Sequence, residues 1–309
     1  MTWECAPALA RLVDSMNEQL DGSQELVVVD NASGDEPDAA AAAWRGRGWF
    51  MRLAYNHGFG AAVNAGVARA EGEAVVILNP DTELVDDGLP RLAAEALALR
   101  ALVGPRILNR DGTIQPSASG PPVGLWPWVR AVLPSPIGPR WVKARTAPWR
   151  LASRSRVAWL AGSCIAAPRE LLVALGPFDA RIHLYGEDLD LGLRARARGV
   201  PSYISPGVCE LIHDGKVATA QRSGDLGRGL AAASGRAVLR RRYGAGPERR
   251  AHRADRANLR LRGLAKRVLR VNREWDALVL VGLEAVGEPP ELGSPVLTAP
   301  EVAAARPLR

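Results

Sequence analysis

Four short apolar runs punctuate the first 110 residues: "ELVVVD" (25–30), "WFMRLA" (49–54), "EAVVILNPD" (73–81) and "ALVGPRIL" (101–108). They are short, apolar on consecutive positions, and bounded by turn residues, the pattern of strands buried on both faces. The intervals between them have helical character. Residues 7–20 place Leu9, Leu12, Val13, Met16 and Leu20 on one side, residues 59–70 are a run of small side chains, and residues 89–99 follow the same period. Strands alternating with helices define βαβ units, so the expected fold is α/β, with a mostly parallel, Rossmann-like sheet flanked by helices. Ligands of such sheets bind beyond the carboxyl ends of the strands. Asp30 and Asp81 stand at two of those ends.

The pattern changes at about residue 115. Residues 115–156 form a long excursion rich in Pro, Trp and Arg, with Trp126, Trp128, Trp141 and Trp149 and at most short helices. Long excursions of this kind are functional or disordered; packing of the tryptophans onto the main core is the competing reading. A strand and a helix starting near Pro168 follow, and "VPSYISPGVCELIHDG" (200–215) reads as two extended pieces. Helices are expected over 222–242 and 247–270. Between Arg222 and Arg273 there are sixteen Lys/Arg against three acids, a surplus of thirteen; the whole chain carries +7, so the remainder carries −6. A basic segment on an acidic body suits an anionic partner, membrane surface or nucleic acid, or is a solvated helical face. The three cysteines, Cys5, Cys164 and Cys209, are scattered and form no CxxC pair, which points to a reducing compartment. There is no signal-peptide pattern at the start and no apolar window long enough to span a membrane, so a cytoplasmic protein is expected.

Several residues could carry chemistry. "AYNHGFGAAVNAG" (54–66) sets glycines 58, 60 and 66 before and within a helix; it fits neither GxGxxG nor a P-loop. Asn56 and Asn64 flank this turn, where hydrogen bonding explains such residues, turn duty included. Asp81 follows a buried strand and a proline, a place that suits a hard divalent cation on a diphosphate or an N-cap. His213 ends a short apolar run, as a satisfied buried histidine or a ligand. In "YGEDLDLGLRAR" (185–196), helical spacing pairs Asp190 with Arg194. Asp188 turns instead to the side of Gly192, Ala195 and Gly199, where small neighbours leave room for a close backbone or a substrate.

Four segments in order, "VVVDNASGD", "NHGFGAAVNAGVARAEGEAVVILNPDTEL", "WLAGSCIAAPRELLVALGPFDARIHLYGEDLDLGLRARARG" and "IHDGKVAT", resemble the family 2 glycosyltransferases and their rhamnosyltransferase-like branch. The resemblance covers about residues 5–220. It implies a GT-A fold with a nucleotide-sugar-binding half (1–110) and an acceptor-binding half (111–220), followed by a basic helical segment (221–286) and a flexible tail (287–309). It also implies inverting transfer from a nucleotide-sugar, dTDP-rhamnose or similar, with Mg2+ or Mn2+ on the diphosphate. By resemblance Asp188 is the catalytic base, and Glu187 and Trp159 contact the acceptor. Thr2, Asp30, Asn56, Gly58, Gly60, Asn64 and Asn79 line the nucleotide-sugar site, and Asp81 with His213 holds the metal. Asn79 stands where the family's metal motif has its first acid.

The family opens with a central apolar strand ending in a turn that touches the nucleotide, and Thr2-Trp3-Glu4 looks like that strand's tail. The first central strand is therefore expected to be missing here, with a run of about five Val/Ile-type residues encoded upstream of Met1. Should Met1 be the true start, the alternative is a weakly active or inactive nucleotide-sugar-binding homologue. The expected partners are a nucleotide-sugar donor, a glycan or polyprenyl-diphosphate-linked acceptor, and the anionic inner face of the plasma membrane. Only the basic segment speaks for nucleic acid, which is set aside.

Overall fold

A computed structural model describes residues 1–133, 138–215, 224–268, 280 and 302–308. Its first half runs α1 (Ala6–Gln19), β1 (Leu26–Asp30), α2 (Asp38–Ala42), β2 (Gly48–Leu53), α3 (Phe59–Arg69), β3 (Ala74–Leu78), β4 (Thr82–Leu84), α4 (Leu89–Leu99), β5 (Leu102–Gly104) and β6 (Arg106–Leu108). Every apolar run of the first 110 residues is a strand. The last is cut in two at Pro105, which has no N–H to give to a ladder. Next come β7 (Ala118–Ser119), α5 (Trp126–Val132), α6 (Arg140–Thr146), β8 (Ser155–Val157), β9 (Trp159–Leu160) and β10 (Cys164–Pro168). α7 (Arg169–Leu175), α8 (Glu187–Ala197), β11 (Ser202–Ile204) and β12 (Glu210–His213) follow, then α9 (Gly224–Tyr243), α10 (Ala245–Val268) and β13 (Val302–Leu308).

The sheets are more mixed than the alternation predicts. β1 and β2 pair in parallel, and β13 runs antiparallel along the other edge of β2. A second sheet has the order β3-β10-β5-β11-β8, and β10 is antiparallel to both of its neighbours. The reason is its connection: β10 returns from the Trp-rich excursion rather than from a crossover helix, so it can enter the sheet in the opposite sense. A third sheet, β4-β12-β6, carries His213 to its end beside β4. The expected loose tail also differs. Positions 287–301 lie outside the described residues, but Val302–Leu308 finds the open edge of β2, and Leu308 is buried in the core with Phe50.

α1 and α4 bury Leu9, Leu12, Met16 and Leu92 against one face of the sheets, while Val63 and Val67 of α3 pack with Ile77 and Ile165 on the other. The basic helices are part of this body. Ile182, Leu189 and Leu193 at α8 pack against Val238 and Leu239 of α9 and Ala251 of α10. Glu248 of α10, fully buried, accepts from Arg236 Nε at 2.6 Å and Arg240 at 3.1 Å. Arg236 and Arg240 are thus turned onto a buried carboxylate, while Arg249, Arg250, Arg253, Arg260, Arg262 and Arg267 of α10 are exposed. All three cysteines are buried and free.

Among the described residues no strand runs between β1 and β3. Both border a cavity of about 370 Å3 whose lining includes Val27, Val29, Val75, Ile77 and Met1. Thr2 alone pairs with β1 there, opposite Asp30.

α8 lies against β9 because Gly192 has no side chain: a Cβ would come within 2.4 Å of Trp159 Cβ and 2.9 Å of the Ala158 carbonyl. Gly192→Ala gains about 1 kcal/mol of helix propensity but forces backbone apart, at about 1–3 kcal/mol. The clash is with main chain, so net destabilisation is expected, read as a lower Tm; an unchanged or higher Tm would refute the close approach.

Candidate active site

The turn into α8 is bent into an unusual shape. Tyr185 (φ 65°) and Gly186 (φ 91°) are both left-handed, a conformation that costs energy for a non-glycine residue and clusters at functional sites. The bend delivers Glu187 and Asp188 to the first turn of α8, where the helix dipole favours negative charge. Asp188 is half-buried; Gly162 N–H donates to its Oδ2 at 3.0 Å and Leu189 N–H to its Oδ1 at 2.6 Å. Burial pushes its carboxyl up to about 6 against these hydrogen bonds, which pull it down. Glu187 is buried, its Oε2 has no hydrogen-bond partner among the described residues, and burial followed by the Asp188 charge raises its carboxyl to about 8. Two adjacent carboxyls thus hold protons at different strengths, and the one with the lower pKa is met by the Gly162 N–H.

A second cluster sits at the ends of β3 and β12. His213 Nδ1–H donates to Gln115 Oε1 at 2.7 Å, which turns its Nε2 toward Asp81 and Asn79. Nε2 stands 3.2 Å from Asp81 Oδ1 and 3.3 Å from the Asn79 amide, whose Oδ1 is buried with no partner among the described residues. Carboxylate, imidazole and orphaned amide oxygen form a donor set that fits a divalent cation of the Mg2+ or Mn2+ type. Among the described residues no group of three or more His, Cys, Asp or Glu gathers anywhere, so such an ion would take its other ligands from phosphate oxygens and water. The two clusters are joined by one dipeptide: Gly162 N–H holds Asp188, and Ser163 C=O accepts from Asn79 N–H at 3.0 Å.

On the β1 side, Asp30 is fully buried, accepting from Arg52 Nε at 2.6 Å and Ser33 N–H at 3.1 Å. A nucleotide reaching this corner would meet Arg52 before it met Asp30. Asn56 Oδ1 accepts from Gly58 N–H and from the Asn31 amide, each at 2.9 Å, so turn duty is its observed role. Gly58 (φ 88°) is needed because a Cβ would sit 2.6 Å from the His183 carbonyl. Three expected donor contacts have other work. Asn64 gives both amide atoms to the backbone of Phe178, at 2.8 and 2.9 Å. Gly60 packs beneath Phe178. Thr2, fully buried, pairs with Val29 and Asn31 through its backbone and with Cys5 Sγ through its hydroxyl at 3.2 Å.

Trp159 stacks its Cβ on Gly192, one turn from Asp188 on the same helix face, with its side chain half-buried. Asp190 keeps its i,i+4 pair with Arg194 (2.6 Å), and Arg241 and Arg242 of α9 each reach it at 2.8 Å. Asp179 is held by Arg181 and Arg241; burial opposes its charge, but these hydrogen bonds win and keep its carboxyl well below the usual range. Asn31, Gln115, Arg241 and Arg242 are contributors the sequence reading passed over. Asn31 had a usable signal, since it directly follows a strand-end acid; the other three act across long separations and had none.

Comparison with known proteins places the chain in a family. Residues 1–139 match Glycosyl transferase family 2. The chain is 30% identical over 234 residues to N-acetylglucosaminyl-diphospho-decaprenol L-rhamnosyltransferase of Mycobacterium tuberculosis, across 69% of this chain and 74% of that one. It is 29% identical to O-antigen biosynthesis protein RfbC of Myxococcus xanthus, across 62% of this chain and 15% of that one. The mannosyltransferase PcManGT from Pyrobaculum calidifontis, solved with GDP-Man and Mn2+, superposes with a TM-score of 0.54 at 20% identity, covering 93% of this chain and 74% of that one. GalNAc-T7, solved with UDP, GalNAc and Mn2+, gives 0.51 at 20% identity, across 67% and 40%. An α/β body that superposes on these proteins has the GT-A fold of glycosyltransferases. The chain belongs to the family 2 glycosyltransferases and is similar to rhamnosyltransferases within it.

The raised carboxyls set a pH dependence of stability. An unfolded Glu gives up its proton near 4.5 and folded Glu187 near 8. The unfolded chain therefore ionises first as pH rises, and stability falls across that window. Tm is expected to be lower at pH 8 than at pH 5, with Glu187→Gln removing most of the difference. An equally steep fall in Glu187→Gln would exclude this group as the cause.

Proposed function

We propose that the protein transfers a deoxysugar, rhamnose from dTDP-rhamnose or a close relative, with inversion onto a lipid-linked glycan acceptor in cell-wall or polysaccharide assembly. The observation that carries the reading is the Gly162–Ser163 link, which sets the Asp188 carboxylate beside the Asn79, Asp81 and His213 cluster. The acceptor hydroxyl oxygen attacks the anomeric carbon as its proton passes to Asp188. The bond from that carbon to the diphosphate oxygen breaks on the opposite side, and the nucleoside diphosphate leaves. Asp81, His213 and Asn79 would hold Mg2+ or Mn2+, which supplies positive charge to the departing diphosphate. Arg52 and Asp30 would meet the nucleotide, while Glu187 and Trp159 would flank the acceptor. The M. tuberculosis relative is named for a decaprenol-diphosphate-linked acceptor, which supports the acceptor class.

In this reading residues 1–220 hold both substrates, and the 221–286 segment carries the protein to the cytoplasmic membrane face. No helix among the described residues is long and apolar enough to cross a membrane. Leu125, just ahead of α5, is exposed with Trp128 and Val132 of α5 and Trp141 of α6, and α10, packed on α5, exposes Leu261, Leu264 and Val268 among its arginines. Aromatic and apolar side chains amid basic charge suit an anionic interface.

Asp188→Asn is expected to lower turnover by about 10²–10⁴-fold, the usual worth of a general base, with donor affinity kept. Release of nucleoside diphosphate from dTDP-rhamnose with a polyprenyl-diphosphate-linked acceptor and Mn2+ measures it, and in the parent protein turnover rises as pH passes about 6. Full activity in Asp188→Asn would remove the assigned base. Separately, the protein should co-sediment with phosphatidylglycerol vesicles but not with neutral ones, the binding weakening with salt and in the Trp128→Ala, Trp141→Ala double variant. Equal binding to both vesicle types would reject the membrane placement.

A further inference from the structure

A cavity of about 340 Å3 opens beside the C-terminal end of α8, a size within the range of about 300–1,000 Å3 usual for small-ligand sites. Three arginines line it, each from a different element: Arg145 from the last turn of α6, Arg156 from β8 and Arg196 from the last turn of α8. Among the described residues of its wall there is no carboxylate. The wall is held by close packing. Gly120 comes so near α6 that a Cβ there would overlap the Arg145 carbonyl, and Ser202 of β11 pairs with Val157, next to Arg156.

Like charges around one cavity repel unless something answers them. A helix C-terminus favours a cation, which accounts for Arg145 and Arg196 singly. It accounts neither for Arg156, on a strand, nor for the convergence of all three. Arginines two positions away in sequence show the ordinary alternative: Arg154 pairs with Glu95 and Arg194 with Asp190. Arg145, Arg156 and Arg196 have no ion-pair partner among the described residues. The Arg145 guanidinium lies 5.8 Å from the centre of the Trp126 ring, a contact that orients it without neutralising it. Each guanidinium offers a planar fork of donors matched to phosphate oxygens. Three forks around one cavity suit a ligand with two adjoining phosphates better than a single carboxylate.

Positions 188, 192 and 196 form one i,i+4 row along α8, and the segment 156–162 runs beside that row in the opposite sense. Gly162 N–H meets Asp188, Trp159 meets Gly192, and Arg156 shares the cavity with Arg196. At about 1.5 Å per residue, the cavity stands about 12 Å along the helix from Asp188. Exposed Trp141 lies one turn before Arg145 on α6, so the cavity adjoins the apolar face described above. We propose that this cavity is a diphosphate-binding site, separate from the cluster of Asp81 and His213, in which Arg145, Arg156 and Arg196 hold the phosphate oxygens. Its place beside that face, a helix length from Asp188, points to the diphosphate of a lipid-linked acceptor whose sugar extends to Asp188. That choice of source rests on the transferase reading; the anion site itself rests on the three arginines and their cavity.

Calorimetric titration of the full chain with inorganic pyrophosphate in EDTA tests it, since without a divalent cation nothing recruits the probe to Asp81 and His213. The parent protein is expected to bind pyrophosphate saturably. The Arg156→Gln, Arg196→Gln double variant should bind it about tenfold or more weakly, the usual cost of losing charge-assisted hydrogen bonds, and Asp81→Asn should bind it unchanged. Both arginines are exposed, so the double variant should keep its Tm. Farnesyl diphosphate and dTDP, titrated in the same way, separate the sources. Tighter binding of farnesyl diphosphate, weakened by the double variant, assigns the site to a lipid-linked diphosphate. Tighter binding of dTDP, weakened likewise, supports the site with a free nucleotide as its ligand. No saturable pyrophosphate binding by the parent, undiminished binding by the double variant, or binding lost in Asp81→Asn would overturn the proposal. The readout is binding without metal or donor sugar, so it can fail while Asp188→Asn still stops turnover, and the reverse.

Discussion

Burying a carboxylate is costly unless donors meet its lone pairs. Asp190 is fully buried and is met by three guanidinium groups, Arg194 from its own helix and Arg241 and Arg242 from α9. Removing these partners would strand a charge in the interior, so the helix carrying Asp190 is bound in its place on two sides. Arg194 extends the constraint by donating to the carbonyls of Leu175 and Pro177, which fixes the loop leading to α8. The position of Asp188, two residues before Asp190, follows from this anchoring. Glu187 and Asp188 can then tolerate raised pKa values, because the helix they begin is held by the next acid along rather than by them.

The strand ends show the same division between groups that hold and groups left to act. Asn31 accepts from His57 N–H and donates to Asn56 and to the Gly58 carbonyl, so its hydrogen-bonding capacity is spent on the turn. Asn64 is spent on Phe178. By contrast the Glu187 Oε2 and Asn79 Oδ1 atoms are buried with no hydrogen-bond partner among the described residues. Folded proteins rarely leave such atoms unmet.

Much of the fold was legible because it depends on short-range pattern. Two-faced apolar runs gave the strands, and the apolar period of "LPRLAAEALAL" gave α4 with its observed bounds. The Asp190–Arg194 pair was legible from spacing. What failed to show were partners separated by long stretches of chain. Asn64, expected at the nucleotide-sugar, bonds through its amide to Phe178, 114 residues away, a partner that no local pattern marks. The antiparallel entry of β10 depends on the path of an irregular excursion, which periodicity does not encode. Arg241 and Arg242 read only as charge, since nothing local marks Asp190 as their target. Asp81 and His213 were brought together on paper by family resemblance alone, and the structure brings them together in space.

The Asp190 cluster also bears on how such a protein can change over generations. A cut at residue 220 divides the chain where composition shifts, yet the carboxylate on one side and two of its three arginines on the other form one electrostatic unit. The C-terminal helices cannot be exchanged between relatives as a free module. A recombinant must inherit α8 and α9 together, or acquire a neutral residue at 190 and lose the arginines at 241 and 242 in the same lineage.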